Sequence, residues 1–170
     1  MNNSVLTQRL NAILNGDEKA FEELYTDLKV PIYTIIYRII WNDVESEDVL
    51  QELFFKLFTS PLNPANIKNP RAYIFQMARH LAIDKIRKDT NDIPLDEITD
   101  ITYPSEDIAL NVDIEDALKQ IHSDECEIIT LRIIGGFKYR EIAKIMKIPQ
   151  GTVKWKYKEA IKKLKKILGG

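Results

Sequence analysis

The sequence predicts an all-α fold of two small helical domains joined by an acidic linker, the second domain carrying a helix-turn-helix. Three observations carry that expectation. Apolar residues recur at intervals of three and four along most of the 170-residue chain, and no segment alternates as a half-buried strand does. The stretch Tyr139–Leu168 reads as a short helix, a tight turn and a longer helix. Between the helical parts, residues 89–111 hold two prolines, seven acids, no base and no helical period, which marks a linker. The domains are therefore expected over 1–88 and 112–170.

In chain order, Leu6, Leu10, Ile13 and Leu14 mark a short amphipathic helix ended by Asn15-Gly16, and Asp17 is placed to cap the next. From Phe21 a longer stripe runs through Leu24, Tyr25, Leu28, Ile32, Ile35, Ile36, Ile39 and Ile40, in a helix that Pro31 could kink. After a polar turn at Asn42 and Asp43, a third stripe comprises Val49, Leu50, Leu53, Phe54, Leu57 and Phe58. Asp48, Gln51, Glu52 and Phe55 lie away from it. Asp48 and Glu52, four apart, put like charges on one face, which slightly destabilises an isolated helix and hints at a basic partner.

Ser60–Asn69 is a loop by its two prolines and three asparagines, and Asn69-Pro70 offers an N-cap followed by a proline at the first helical position. The helix that follows, to about Lys88, is expected to bury Ile74, Met77, Ala78, Leu81 and Ile86 or close neighbours. Its other faces carry Arg71, Tyr73, Gln76, Arg79, His80, Asp84, Arg87 and Lys88. Beyond the linker, Ile114, Ala117, Leu118 and Ile121 begin a helix. Asp124 and Glu127 offer a capping box for the next, whose face Ile128, Ile129, Leu131 and Ile134 fill until Gly135-Gly136. Ile142, Ala143 and Met146 define the first helix of the helix-turn-helix, Lys147–Gln150 breaks it, and Pro149 suits the first turn of the second. On that second helix Val153, Tyr157, Ala160, Ile161, Leu164 and Leu168 share one face, while Trp155, Lys158, Lys162 and Lys166 take the opposite one.

The net charge of −2 hides a division. Lys138–Lys166 hold eleven Lys/Arg against two acids, and residues 68–88 six against one, whereas residues 1–66 hold five against ten. A concentrated basic face beside a turn is an electrostatic footprint for a phosphate backbone. Arginine, lysine, amide and aromatic groups beside the irregular Ser60–Asn69 loop suit single-stranded or melted nucleic acid, because aromatics and guanidinium planes stack on bases while cations track phosphates. His80, His122 and the lone Cys126 form no nucleophile or metal spacing, and no phosphate-cradling glycine loop occurs. No enzyme activity, catalytic residue, cofactor, metal or small-molecule substrate is expected. With one cysteine, no secretory leader and no apolar run near 18 residues, the expected location is the cytoplasm.

Four stretches carry a resemblance: DEKAFEELY at Asp17, SEDVLQELFFKLF at Ser46, NPRAYIFQMARHLAIDKIRK at Asn69, and EIITLRIIGGFKYREIAKIMKIPQGTVKWKYKEAIKKL at Glu127. In this order and spacing the chain, over about Asp17–Leu168, resembles the extracytoplasmic function group of bacterial sigma factors, the smallest members of the primary sigma superfamily. The resemblance implies a first domain that binds the clamp of the largest polymerase subunit and opens the minus-ten promoter element. It implies a second that binds the flap of the second-largest subunit and reads the minus-thirty-five element.

Carried over by position, the resemblance assigns core-polymerase binding to Asp48, Gln51, Glu52 and Phe55. It assigns minus-ten DNA to the Asn63–Asn69 loop, with Asn66 and Lys68, and to Arg71, Tyr73, Gln76, Arg79, His80 and Lys88. Minus-thirty-five DNA falls to Arg140, Gln150, Thr152, Lys154, Trp155, Lys158 and Lys162. An anti-sigma factor is a further implied partner. The chain departs from the family pattern at His80 (commonly asparagine), Trp155 (serine), Lys147 (glycine) and Lys138 (serine or threonine). The 23 linker residues reach at most about 76 Å, enough for promoter elements roughly 17 base pairs, or about 58 Å, apart. A conventional helix-turn-helix regulator that binds duplex DNA without polymerase is the alternative, since it would use the same second domain.

Overall fold

The computed structural model describes residues 1–90 and 114–169; most of the expected linker, 89–111, lies outside the described residues. The chain forms two compact units, Met1–Ile86 and Arg87–Gly170, and no strand occurs among the described residues.

The first unit holds α1 (Asn3–Leu14), α2 (Glu18–Ile40), α3 (Asp43–Thr59), a single 3-10 turn (Pro64–Asn66) and α4 (Pro70–Asp89) up to Ile86, the last three residues of that helix falling past the division. An Asn or Asp side chain opens each helix. Asn2 accepts from the Val5 N–H at 3.0 Å, Asp17 from Ala20 at 3.1 Å, Asn42 from Glu45 at 3.0 Å and Asn69 from Ala72 at 3.0 Å. Each such cap satisfies an orphan donor and contributes about 1 kcal/mol. Gly16, at φ +84°, turns the chain between α1 and α2, a left-handed conformation that a glycine adopts without strain.

The expected stripe on α2 is the core. Leu24, Leu28, Ile32, Ile35, Ile36 and Ile39 are buried, and the helix runs on past Pro31 to Ile40. Trp41 then ends it in a left-handed conformation. Tyr33 donates to Asp43 Oδ1 at 2.8 Å, tying α2 to the start of α3, and partial burial together with that bond pushes its phenol up to about 12. On α3, Val49, Leu50, Leu53, Phe54 and Leu57 are buried. Phe58 is not: it lies half-exposed on the Phe21 ring, centroids 5.1 Å apart, near the end of the helix.

α4 is rotated from its expected orientation. It buries Ile74, Phe75, Ala78, Ala82 and Ile83, whereas Met77, Leu81 and Ile86 are only partly covered. With apolar residues on most of its faces, periodicity did not determine the roll. Packing selected the face with two alanines, which allow close approach, and Phe75, whose ring the Arg71 guanidinium covers at 5.1 Å. Arg71 N–H also donates to Asn3 Oδ1 at 3.2 Å, and Lys85 reaches Glu45 at 4.0 Å, so α4 is tied to both α1 and α3.

The second unit holds α5 (Ile114–Lys119), α6 (Ser123–Ile133), α7 (Tyr139–Met146) and α8 (Gln150–Gly169). Ile121, Ile128, Leu131, Phe137, Ile142, Ile145 and Val153 form its core, while Ile114, Ile134 and Leu168, counted with the apolar faces from sequence, are exposed. The capping box is displaced by two residues. Glu125, not Glu127, accepts from the backbone of His122 at 3.3 Å, because Asp124 is turned toward α8. Gly135 has no room for a side chain: a Cβ would stand 2.6 Å from the Leu131 carbonyl and 2.7 Å from the Phe137 ring. Lys147 ends α7 with φ 56°, and the Ile148 N–H reaches back to the Ala143 carbonyl at 3.1 Å. A non-glycine residue in that conformation costs on the order of 1 kcal/mol.

Candidate functional site

Three faces gather the residues singled out from sequence. On α3, the capped start at Asn42 and the buried stripe from Val49 to Leu57 force Asp48, Gln51, Glu52 and Phe55 outward, and all four are exposed. Phe55 shows 68% of its surface and Val44, one turn before Asp48, 72%. Val44, Asp48, Gln51 and Phe55 stand at helical spacing, so the face combines apolar anchors with acids. Glu52 pairs with Lys56 at 3.0 Å, leaving Asp48 as the acid of the stripe with no ion pair among the described residues. Exposed apolar groups rimmed by charge mark a protein-binding surface.

The second face lies on α4 and the loop before it. Asn63 accepts from Ala65 N–H at 3.0 Å and shapes the turn that carries Asn66 and Lys68 outward. Along α4, Tyr73, Gln76, His80 and Arg87 follow one another at intervals of three, four and seven. Tyr73, His80 and Arg87 are exposed and Gln76 half-buried, with Lys88 beside them. Arg79 stands at the edge of this face, half-buried. Arg71 does not join it: stacked on Phe75, it belongs to the packed side of the helix.

The third face is on α8. Stepping 100° per residue, Lys154, Trp155, Lys158, Lys162, Lys165 and Lys166 fall within an arc of about 120°, and all six are exposed. Trp155 shows 60% of its surface. Gln150, also exposed, and half-buried Thr152 stand in the first turn, and Arg140 is exposed on α7. The helix is anchored on its other side, where Val153 and Ala160 are buried and Tyr157 meets Tyr139 edge-on at 5.6 Å. The Tyr139 ring is covered in turn by Arg132, whose Nη1 donates to the Phe137 carbonyl at 2.9 Å.

Sequence reasoning missed one set of residues here. Lys156 pairs with Asp124, and Lys163 Nζ donates to both carboxylate oxygens of Glu125 at 2.7 and 2.9 Å. These two lysines flank the buried face of α8 and are therefore separate from the exposed arc. The signal was present as two lysines seven apart, hence on one face, and two acids at the start of α6.

Among the described residues no helix is long and apolar enough to cross a membrane, and no three His, Cys, Asp or Glu side chains are grouped so as to hold a metal.

A protein with a polar-rimmed apolar face on one unit and a lysine-lined helix-turn-helix on the other fits a factor that joins a protein machine to DNA. The family comparisons agree: the Sigma-70 region 2 model matches residues 24–91 and the Sigma-70 region 4 model residues 111–164. The class is thus that of sigma factors, a family of non-enzymatic transcription initiation factors.

The chain is similar to the ECF RNA polymerase sigma factor SigW of Bacillus subtilis, 26% identical over 183 residues that cover 96% of this chain and 97% of the relative. It is also similar to SigX of the same organism, at 26% identity, covering 88% of this chain and 84% of that one. Its fold matches CnrH, solved in complex with the cytosolic domain of CnrY, with a TM-score of 0.66 at 16% identity and 96% of both chains covered. It also matches the sigma factor RpoE of Bartonella quintana, solved with the anti-sigma factor NepR. There the TM-score is 0.65 at 22% identity, covering 89% of this chain and 98% of that one. The chain belongs to the extracytoplasmic function sigma factors and is an alternative sigma factor that directs promoter recognition.

Proposed function

We propose that this sigma factor divides its work among the three faces. Asp48, Gln51, Glu52 and Phe55 on α3, with Val44 beside them, bind the clamp of core RNA polymerase. Asn66, Lys68, Tyr73, Gln76, Arg79, His80 and Lys88 engage the melted minus-ten element, with Arg71 holding Phe75 and the α4 start in place. Lys154, Trp155, Lys158 and Lys162 enter the major groove at the minus-thirty-five element, with Arg140, Gln150 and Thr152 at its edge. The flap of the second-largest subunit is the second unit's protein partner.

The observation that carries the reading is the arc on α8: an exposed tryptophan set among five exposed lysines, opposite a face that docks the helix on its domain. Lysines at that spacing track phosphates, and an indole supplies the apolar contact that a thymine methyl accepts. A conventional regulator would use such a helix too, but it would not explain a first unit that matches Sigma-70 region 2.

The protein acts beside the polymerase in the cytoplasm without catalysis of its own. An anti-sigma factor is its regulatory partner, covering the α3 face so that polymerase and inhibitor compete. The test is reconstitution: the purified chain should co-migrate with core RNA polymerase and drive transcription from a double-stranded promoter. Duplex binding without any association with core polymerase would return the reading to a conventional regulator.

A further inference from the structure

The seven lysines of α8 form two sets with different tasks. Five lie in the exposed arc, whereas Lys156 and Lys163 meet Asp124 and Glu125 at the start of α6. These carboxylates are 9% and 4% exposed, so they are held inside the domain. Asp124 Oδ1 is buried with no hydrogen-bond partner among the described residues, a costly arrangement if stability were the only gain. Burying an ion pair contributes little net stability compared with an apolar pair of the same volume, and the best-attested use of such a pair is to set register.

The geometry fits that use. Val153 and Ala160 are the only side chains fully buried on α8, with Tyr157, Ile161 and Leu164 half-buried beside them, so apolar packing leaves part of the roll to be set by other contacts. The two ion pairs are seven residues apart, about 10 Å along the axis, and on one side of the helix. With Val153 and Ala160 seated in the domain, these two off-axis tethers oppose rotation of α8 about its own axis and sliding along it.

We infer that Asp124 and Glu125 are positioning residues that set the roll of α8 and thereby aim Lys154, Trp155, Lys158 and Lys162 at the promoter. They also withdraw Lys156 and Lys163 from contact with phosphate. This inference rests on the reading of α8 as the minus-thirty-five face. Its consequence is that the acids of α6, which never touch DNA, govern discrimination between upstream elements, while two of the seven lysines make no contribution to the salt dependence of binding.

The experiment uses holoenzymes assembled with full-length variants and a promoter pair that differs only in the upstream element. Lys163→Glu should lose discrimination about tenfold, equivalent to the misreading of one base pair. The swap Glu125→Lys with Lys163→Glu restores a pair of reversed polarity and should recover most of the loss. Lys163→Ala should leave the slope of log affinity against log salt unchanged, whereas Lys158→Ala should lower it by about one.

Glu125→Gln guards against a misfolded single variant. With helicity and core binding retained, it should still lose several-fold in discrimination. A Lys163→Ala slope that falls as the Lys158→Ala slope does would make Lys163 a phosphate contact and overturn the inference, as would a swap as defective as Lys163→Glu whose second unit is folded as stably as that of Glu125→Gln. So would unchanged discrimination in folded Glu125→Gln. If Lys158→Ala alters neither slope nor discrimination, the promoter-face reading of α8 falls, and the inference with it.

Discussion

The two units are stabilised in different ways. In the first, α2 alone buries six large aliphatic side chains, and each helix opens on an Asn or Asp cap. In the second, the longest helix fully buries only Val153 and Ala160, with Tyr157, Ile161 and Leu164 half-buried, and α6 adds ion pairs to Lys156 and Lys163. A helix that gives so many of its positions to lysines cannot also carry a wide apolar stripe. Charge there both covers the outer face and helps to dock the helix on α6. The first unit exposes only a few such groups on α3, so its helices remain free to be apolar elsewhere.

The largest effect should come from the apolar core of the first unit. Phe75 is fully buried, and Phe75→Ala should destabilise that unit by about 3–5 kcal/mol, with little change in the second, as read by hydrogen exchange resolved helix by helix. Equal loss of protection in α6–α8 would mean that the units do not unfold separately.

Glu125→Ala tests the other side of the contrast. It removes the bidentate partner of Lys163 and the acceptor of the His122 N–H, and should cost the second unit about 2 kcal/mol, below a fully buried pair because Lys163 is partly exposed. A cost under a few tenths of a kcal/mol, measured by denaturant titration, would show that apolar packing alone holds α8.

Asn42→Ala should cost about 1 kcal/mol through loss of the α3 cap. At the other unit's turn, Lys147→Gly relieves a left-handed lysine and should stabilise by less than 1 kcal/mol, part of the gain being offset by the freer unfolded chain. Loss of stability in Lys147→Gly would show that the lysine side chain contributes more than its backbone costs.

The smallest effect on stability is expected for Asp48→Arg, since the side chain is exposed and makes no ion pair or cap among the described residues, yet its effect on partner binding should be clear. Core polymerase association should slow and lose salt dependence while helicity and melting temperature stay within error. Undiminished binding at low and moderate salt would remove this face from the polymerase interface.

Much of this protein was determined by its sequence alone. The stripes on α1, α2 and α3, the Asp17 and Asn69 caps and the helix-turn-helix all follow from local rules, because a strongly periodic apolar pattern or an Asx residue before it admits one local outcome. The left-handed Lys147 was implied by the resemblance rather than by its own residue type, since the family pattern has glycine there. Tertiary structure alone decided the roll of α4, where apolar residues on several faces left Phe75 and the alanines to be chosen by packing over Met77 and Leu81. It also decided the partition of the α8 lysines. Seven similar charges on one helix look alike along a sequence, and only the arrival of Asp124 and Glu125 from α6 makes two of them structural and leaves five exposed.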